Sequence, residues 1–204
     1  MSIFVTGTDT GVGKTVIAAW LTFHTKKMYF KPIQTGAFER TDRDFVFQLT
    51  HCPCLPETYI FNNTVSPYHA AAIERCGINI QSIQLPPKHN VVVEGAGGVF
   101  CPIAPNTFMI DLMKQLNIPT IIVARTSLGT INHTCLTIET LRRRQIPIIG
   151  VVLNGKKNDQ NKEAIQKFGN VPTFEFPELT CLQDLQTILL PQNLVQQLEK
   201  YETI

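Results

Sequence analysis

No apolar run in this chain approaches the ~20 residues that a bilayer-crossing helix needs, so no membrane role is expected. Charge of either sign is scarce: charged residues are 17% of the chain and the formal net charge is +2. So small an imbalance gives no basic surface for nucleic acid. The longest basic run, Arg142-Arg143-Arg144, ends a predicted helix, where cations complement the helix dipole. A basic segment followed by a long apolar stretch is missing at the start, where Met1-Ser2 leads straight into a strand. The expectation is a cytoplasmic protein without a secretory signal. Internal repeats and low-complexity tracts are also lacking. Six cysteines stand at 52, 54, 76, 101, 135 and 181 without metal-binding spacing. Cys52-Pro53-Cys54 has one intervening residue and no second Cys or His pair at finger-like distance, so free thiols are expected. What remains is 204 residues with 44% hydrophobic content, suited to one globular domain over 1–204.

The most informative segment present is Gly7-Thr8-Asp9-Thr10-Gly11-Val12-Gly13-Lys14-Thr15. It follows the apolar run Ile3-Phe4-Val5 and leads into Val16-Ile17-Ala18-Ala19-Trp20-Leu21, the order strand, glycine-rich loop, helix. Such a loop wraps phosphates in backbone N–H groups and aims a helix N-terminus at them. Lys14 reaches the terminal phosphates, and the Thr15 hydroxyl suits Mg²⁺. The usual pattern G-x-x-x-x-G-K-[ST] would place glycine at position 8, where Thr8 stands; Gly7 sits one residue early. The strand-loop-helix context still points to a nucleoside triphosphate.

Apolar β-branched runs alternate with helical patterns. Strands are predicted at 2–6, 28–31, 90–94, 119–124, 147–153 and 171–175. Continuous apolar strands such as Val91-Val92-Val93 suit a parallel sheet buried on both faces. Ile131, Cys135, Ile138 and Leu141 form one stripe of a helix over 130–144, and Pro191 opens a last helix at about 192–202. The alternation predicts an α/β fold, an open, mostly parallel sheet with helices on both faces. The segment 51–88 reads as a long loop with one short helix near 69–75, and loops of that length often serve a binding site.

Ligands of open α/β sheets bind beyond the carboxyl ends of the strands. There the chain has Lys31-Pro32-Ile33-Gln34-Thr35-Gly36, Glu94-Gly95-Ala96-Gly97-Gly98, Arg125 to Asn132, and Asn154-Gly155. Lys31 is expected as a rim cation at an exposed strand end. Glu94, closing its strand beside glycines, can ligate Mg²⁺ near Thr15. Asp44 opens the helical stretch Asp44-Phe45-Val46-Phe47-Gln48-Leu49, and an N-cap or a metal ligand would explain it equally. His69 and His133 have no visible partners.

Together, the loop 7–15, Lys31 to Gly36, Glu94 to Gly98 and Leu128-Gly129-Thr130-Ile131-Asn132-His133 resemble the dethiobiotin synthetase family. The resemblance runs from residue 2 to about 180, and the family's own shifted loop glycine accounts for Thr8. It implies an ATP-dependent cyclo-ligase of biotin biosynthesis. The substrates would be 7,8-diaminopelargonate, CO₂ and ATP. One amine takes up CO₂ as a carbamate, ATP phosphorylates it to a carbamic–phosphoric anhydride, and the second amine closes the ureido ring.

The resemblance implies catalytic roles for Lys31, Lys14 and Thr10, with Thr35 also facing the diamine or carbamate. Gly11, Val12, Gly13, Lys14, Thr15 and Val16 would hold the nucleotide phosphates, with Gly95, Ala96 and Gly97 alongside. Thr15, Asp44 and Glu94 would ligate Mg²⁺. Asn154, with Gly155, would read the base, flanked by Pro177, Glu178 and Leu179. The guanine-reading N-K-x-D pattern fails, because Gly155 and Lys157 replace its Lys and Asp. Gly129, Thr130 and Asn132 would bind the substrate's distant carboxylate from the second subunit of a homodimer, with the active site at the interface. The family's Ser-Pro-His-x-Ala-Ala reads Ser66-Pro67-Tyr68-His69-Ala70-Ala71, so neither Tyr68 nor His69 is assigned a role.

Two rivals share parts of this pattern. A partitioning-type regulatory ATPase would carry a second loop lysine where Asp9 stands. A cobyrinate-type amide synthase would carry a glutamine-hydrolysing domain.

Overall fold

The computed structural model describes residues 1–38, 40–87 and 90–202. Six parallel strands form the central sheet: β1 (Ile3–Gly7), β2 (Met28–Phe30), β5 (Val91–Gly98), β8 (Thr120–Arg125), β9 (Ile148–Asn154) and β10 (Thr173–Phe176). Their spatial order is β10-β9-β8-β1-β5-β2. All six predicted strands are present, displaced by a residue or two at their ends. Glu94 is the exception that matters. It was expected to close its strand, but β5 continues to Gly98, and Glu94 lies inside the strand opposite Val5.

Successive side chains of each strand enter opposite cores. Phe4, Val91 and Val93 face one, and Ile3, Val5 and Val92 face the other. The first core is covered by α3 (Pro67–Ile73), α4 (Met109–Leu116), α5 (Thr130–Arg143) and α6 (Asp159–Gly169). The second is covered by α1 (Lys14–Thr25), α2 (Asp42–Thr50) and α7 (Gln192–Glu202), with Trp20 fully buried there. The connection β1-α1-β2 passes one face, and β5-α4-β8 crosses β1 on the other. The chain therefore switches direction at β1 and β5, and a crevice opens at their carboxyl ends.

The segment 51–88 has more structure than a loop. Its β4 (Tyr59–Ile60) pairs with β3 (Ile33–Gln34), and a 3-10 turn spans Ile80–Ser82. Its helix α3 begins two residues before the predicted start, because Pro67 fits the first helical position. The last residue of the segment, Lys88, lies outside the described residues. A hairpin of β6 (Pro102–Ala104) and β7 (Thr107–Phe108) precedes α4. The three arginines at the end of α5 are held locally. Arg142 donates to the Asn170 carbonyl, Arg143 pairs with Glu139 and Arg144 with Asp111. No helix among the described residues is long and apolar enough to cross a membrane.

Candidate active site

The loop between β1 and α1 explains its own glycines. A Cβ on Gly7 would lie 2.8 Å from Val12 Cγ2 and 2.9 Å from the Asp9 carbonyl, because the loop folds back over it. Position 8 meets no such constraint, so the early glycine is a packing requirement. Gly11 (φ 73°) and Gly13 (φ 93°) adopt left-handed conformations, which glycine takes without steric cost. Gly13 caps α1 with no side-chain acceptor, which leaves the first-turn N–H groups free for an anion. Its missing Cβ makes room for Asn154, whose Nδ2 donates to the Val12 carbonyl at 2.9 Å.

Lys14 is buried and donates to the Asp9 carbonyl at 2.9 Å. Burial lowers its pKa below the ordinary lysine value; Glu94 opposes that shift and Lys31 adds to it.

Glu94 is the centre of the constellation. It is 1% exposed, and a carboxylate so buried needs donors. Its Oε1 accepts from Thr15 Oγ1 at 2.8 Å and from Lys31 Nζ at 3.1 Å, and its Oε2 accepts from the Tyr29 hydroxyl at 2.7 Å. Lys31 also pairs with Asp42. Lys31 was expected at an exposed strand end, but only 7% of it is exposed. Burial alone would lower its pKa, yet the carboxylates of Glu94 and Asp42 outweigh that and raise it.

All of these groups except Tyr29 line a cavity of about 700 Å³ at the β1/β5 crevice. Thr10, Gly11, Gly13, Lys14, Thr15 and Val16 form its loop side. Lys31, Thr35, Glu94, Ala96 and Gly97 form its floor, and Thr64 to Pro67 form the far wall. Val12 and Gly95 are packed behind this surface: Val12 is in the core, and a Cβ on Gly95 would meet the Phe4 ring at 2.9 Å.

Asp44 is not at the cavity. Helix α2 begins at Asp42 with Thr41 as its N-cap, which makes Asp44 the third helical residue. Asp44 turns back to Thr41 in a capping box, accepting from the Thr41 hydroxyl at 2.8 Å and its N–H at 3.3 Å. The acidic group lining the cavity is Asp42. Asp42 had no assigned role in the sequence, nor had Tyr29, nor Gln34, whose Oε1 accepts from the Asp42 N–H at 3.0 Å. The Thr-x-x-Asp spacing was the available signal for Asp42, since it fixes where the helix starts.

The residues expected around the base divide. Gly155, Pro177 and Glu178 line a second pocket of about 280 Å³ with Lys156 and Lys157. Asn154 is committed to the loop, and Leu179 packs against the second core. Gly129, Thr130 and Asn132 open α5 away from the main cavity. Gly129 (φ 91°) is its cap, the Thr130 hydroxyl donates to the Arg125 carbonyl, and Asn132 lines a separate groove with Phe168. His133 lines a groove of about 540 Å³ that shares Thr10, Gly97 and Cys101 with the main cavity. His69 is exposed and its Nδ1 lies 2.9 Å from Ser66 Oγ.

A family model described as an AAA domain matches residues 1–184. The ATP-dependent dethiobiotin synthetase BioD of Paramagnetospirillum magneticum is 48% identical over 172 residues, which cover 83% of each chain. The enzyme of the same name from Lawsonia intracellularis is 42% identical over 199 residues, 96% of this chain and 98% of that protein. Among solved structures, the cell division ATPase MinD of Pyrococcus furiosus matches with a TM-score of 0.54 at 16% identity, covering 98% of both chains. A ParA family ATPase from Chlorobium tepidum matches with a TM-score of 0.52 at 12% identity, covering 99% of this chain and 97% of its own. Identities that low carry the fold alone. The sheet is thus common to partitioning ATPases, whereas the sequence itself, over most of its length, is that of another group: the chain belongs to the ATP-dependent dethiobiotin synthetase family.

Proposed function

We propose that this protein joins CO₂ to 7,8-diaminopelargonate and closes the ureido ring at the expense of ATP, giving dethiobiotin, ADP and phosphate. The observation that carries the proposal is the buried Glu94 carboxylate joined to Thr15, in the first turn of α1, and to Lys31 at the cavity floor. Beside the phosphate-binding loop, Lys14, Lys31 and a cation held by these carboxylates would let two anions meet. One amine adds to CO₂ and loses a proton, giving a carbamate. A carbamate oxygen attacks the γ-phosphate and ADP leaves. The second amine then attacks the carbamoyl carbon and expels phosphate. Each step brings an anion or a developing negative charge to the same spot. Lys14 and Lys31 neutralise that charge, and positioning does most of the remaining work.

The donor set at this spot suits Mg²⁺, a hard cation that prefers oxygen ligands. Thr15 and Glu94 already touch, and Asp42 shares the Lys31 ammonium with Glu94. Thr15, Glu94 and Asp42 would hold the ion, which when bound supplies charge neutralisation across the terminal phosphates. Lys156, Lys157 and Gly155 are suited to the nucleoside end of ATP.

The protein acts as a homodimer in this reading. What supports it is that Gly129, Thr130 and Asn132 stand apart from the cavity of their own chain. The test is ATP turnover with and without the diamine and bicarbonate. Dependence on both is expected, and equal turnover without the diamine would instead indicate a regulatory ATPase. For the dimer, Lys31→Ala and Gly129→Val variants should each be inactive and regain activity when mixed and exchanged. Subunit exchange without recovery would remove the shared site.

A further inference from the structure

Glu94 Oε1 is shared by Thr15 and Lys31, while Oε2 is engaged by one group only, the phenol of Tyr29. That phenol comes from the neighbouring strand. Tyr29 of β2 lies opposite Val92 of β5, so both side chains enter the second core. Glu94 is two residues beyond Val92 on the same face, about 6.6 Å further along the strand. A phenylalanine would end short of it; the tyrosine hydroxyl spans the gap. Tyr29 is fully buried and its backbone is held on both sides. On one side is β5; on the other its N–H donates to the Pro53 carbonyl at 2.9 Å and its carbonyl accepts from the Leu55 N–H at 2.8 Å. The donor therefore rests on a rigid base.

We propose that Tyr29 is a positioning residue: by holding Oε2 it fixes the Glu94 carboxylate so that Oε1 is presented to Thr15, Lys31 and the divalent cation. This rests on the reading of Glu94 as a cation ligand given above. Without the phenol the plane of the carboxylate is free to rotate about its last side-chain bond, and neither oxygen is held toward the loop.

The experiment is Mn²⁺ binding to the protein in complex with a non-hydrolysable ATP analogue, followed by electron paramagnetic resonance. Tyr29→Phe should bind Mn²⁺ about tenfold more weakly, as is usual when the group orienting a metal ligand is removed. The affinity for metal-free analogue should be unchanged. Tyr201→Phe, whose hydroxyl meets the Ile148 carbonyl at the opposite end of the sheet, should bind as the wild type does. In a double-mutant cycle, Glu94→Gln and Tyr29→Phe/Glu94→Gln should be equally weak, because Tyr29 acts only through Glu94. Mn²⁺ affinity of Tyr29→Phe within twofold of wild type overturns the proposal, as does a further loss in the double variant. If Tyr29→Phe does not fold, the wild type supplies the answer. Mg²⁺ added to the analogue complex should change the near-ultraviolet tyrosine band, because the cation draws charge from the carboxylate that the phenol holds, and an unchanged band overturns the proposal. A wild type without diamine-dependent turnover would remove the substrate reading while leaving the Mn²⁺ result to decide Tyr29.

Discussion

The two walls of the main cavity are built on different principles. The wall of loop, β2 and β5 is charged, buried and closed upon itself: Lys14, Lys31 and Glu94 are all nearly inaccessible and each has a partner. The opposite wall, Thr64 to Pro67, follows the pairing of β3 with β4, which backbone bonds extend to Gly36 and Asn63, and Thr64 and Val65 are exposed. The first wall is preorganised for charge that must not move, and such sites stabilise a transition state without reorganising. The second presents uncharged side chains, two of them exposed, that can follow the shape of a substrate. Substitutions on the first wall should therefore cost chemistry, and those on the second should cost affinity.

The largest effect should come from Lys31→Ala. Loss of one cation from the transition state costs about 3 kcal/mol or more, so turnover should fall at least about a hundredfold. The buried Glu94 also loses its counter-charge, and breaking a buried pair costs about 3–5 kcal/mol. Asp42, 30% exposed at its side chain, relaxes toward water and keeps the loss near the lower end. The pKa of Lys31 is raised in the folded state, so its contribution is complete below the unfolded lysine value of 10.5 and is lost as pH rises through the folded value. Wild type should therefore lose stability above about pH 10.5 that the variant never had. Denaturant unfolding at neutral and alkaline pH checks both parts. A variant that is stable but inactive would return Lys31 to the exposed rim that the sequence suggested.

That contrast shows what the sequence made legible. The phosphate loop, the six strands and their common edge are local patterns, and each was readable from a window of a few residues. Lys31 could be placed at the rim because it follows a strand end, and Glu94 because the apolar run of its strand stops there. Their burial could not be read, because it comes from α2 and β2 arriving from elsewhere. Tyr29 looks like any apolar strand residue until β2 is set beside β5. Asp42 and Asp44 differ by two residues, and only the helix phase decides which one faces the cavity. The far wall was legible only as a long segment suited to a binding site, because the pairing of β3 with β4 that brings it to the cavity joins residues far apart in sequence.

Asp42→Asn should have the next largest effect. It keeps the shape and removes one anionic oxygen from the set offered to Mg²⁺. The Mg²⁺ concentration for half-maximal turnover should rise about tenfold, a typical loss for a perturbed metal site. An unchanged Mg²⁺ titration would move Asp42 out of the metal set and leave it as the partner of Lys31 alone.

On the second wall, Ser66→Leu should raise the KM for the diamine a few-fold, with kcat and the KM for ATP nearly unchanged. Ser66 caps α3 without a side-chain bond to the helix backbone, so its loss costs the helix little. Uniform loss of binding appears in KM alone. A fall in kcat equal to that of the first-wall variants would erase the distinction between the walls.

The smallest effect, Asp44→Ala, is the sharpest test of where α2 begins. Asp44 sits in the capping box with Thr41 and its side chain is 55% exposed. Removing it deletes the acceptor for the Thr41 N–H and a carboxylate near the helix N-terminus, at a cost of about 0.5–1 kcal/mol. The Thr41 hydroxyl bond is the main cause of Asp44's lowered pKa, and Arg43 and Arg40 add to it. A depressed folded value gives a contribution that is present above the unfolded value, about 3.9, and fades as pH falls through the folded one. Because the group is so exposed, solvent screens most of the charge effect, and the difference should be small and salt-sensitive. Wild type and Asp44→Ala should then differ modestly in stability at pH 7 and converge as pH falls through the folded value. Their Mg²⁺ titrations should superimpose. If Asp44→Ala shifts the Mg²⁺ requirement as Asp42→Asn does, α2 starts later in solution and the acid that faces the phosphates is Asp44.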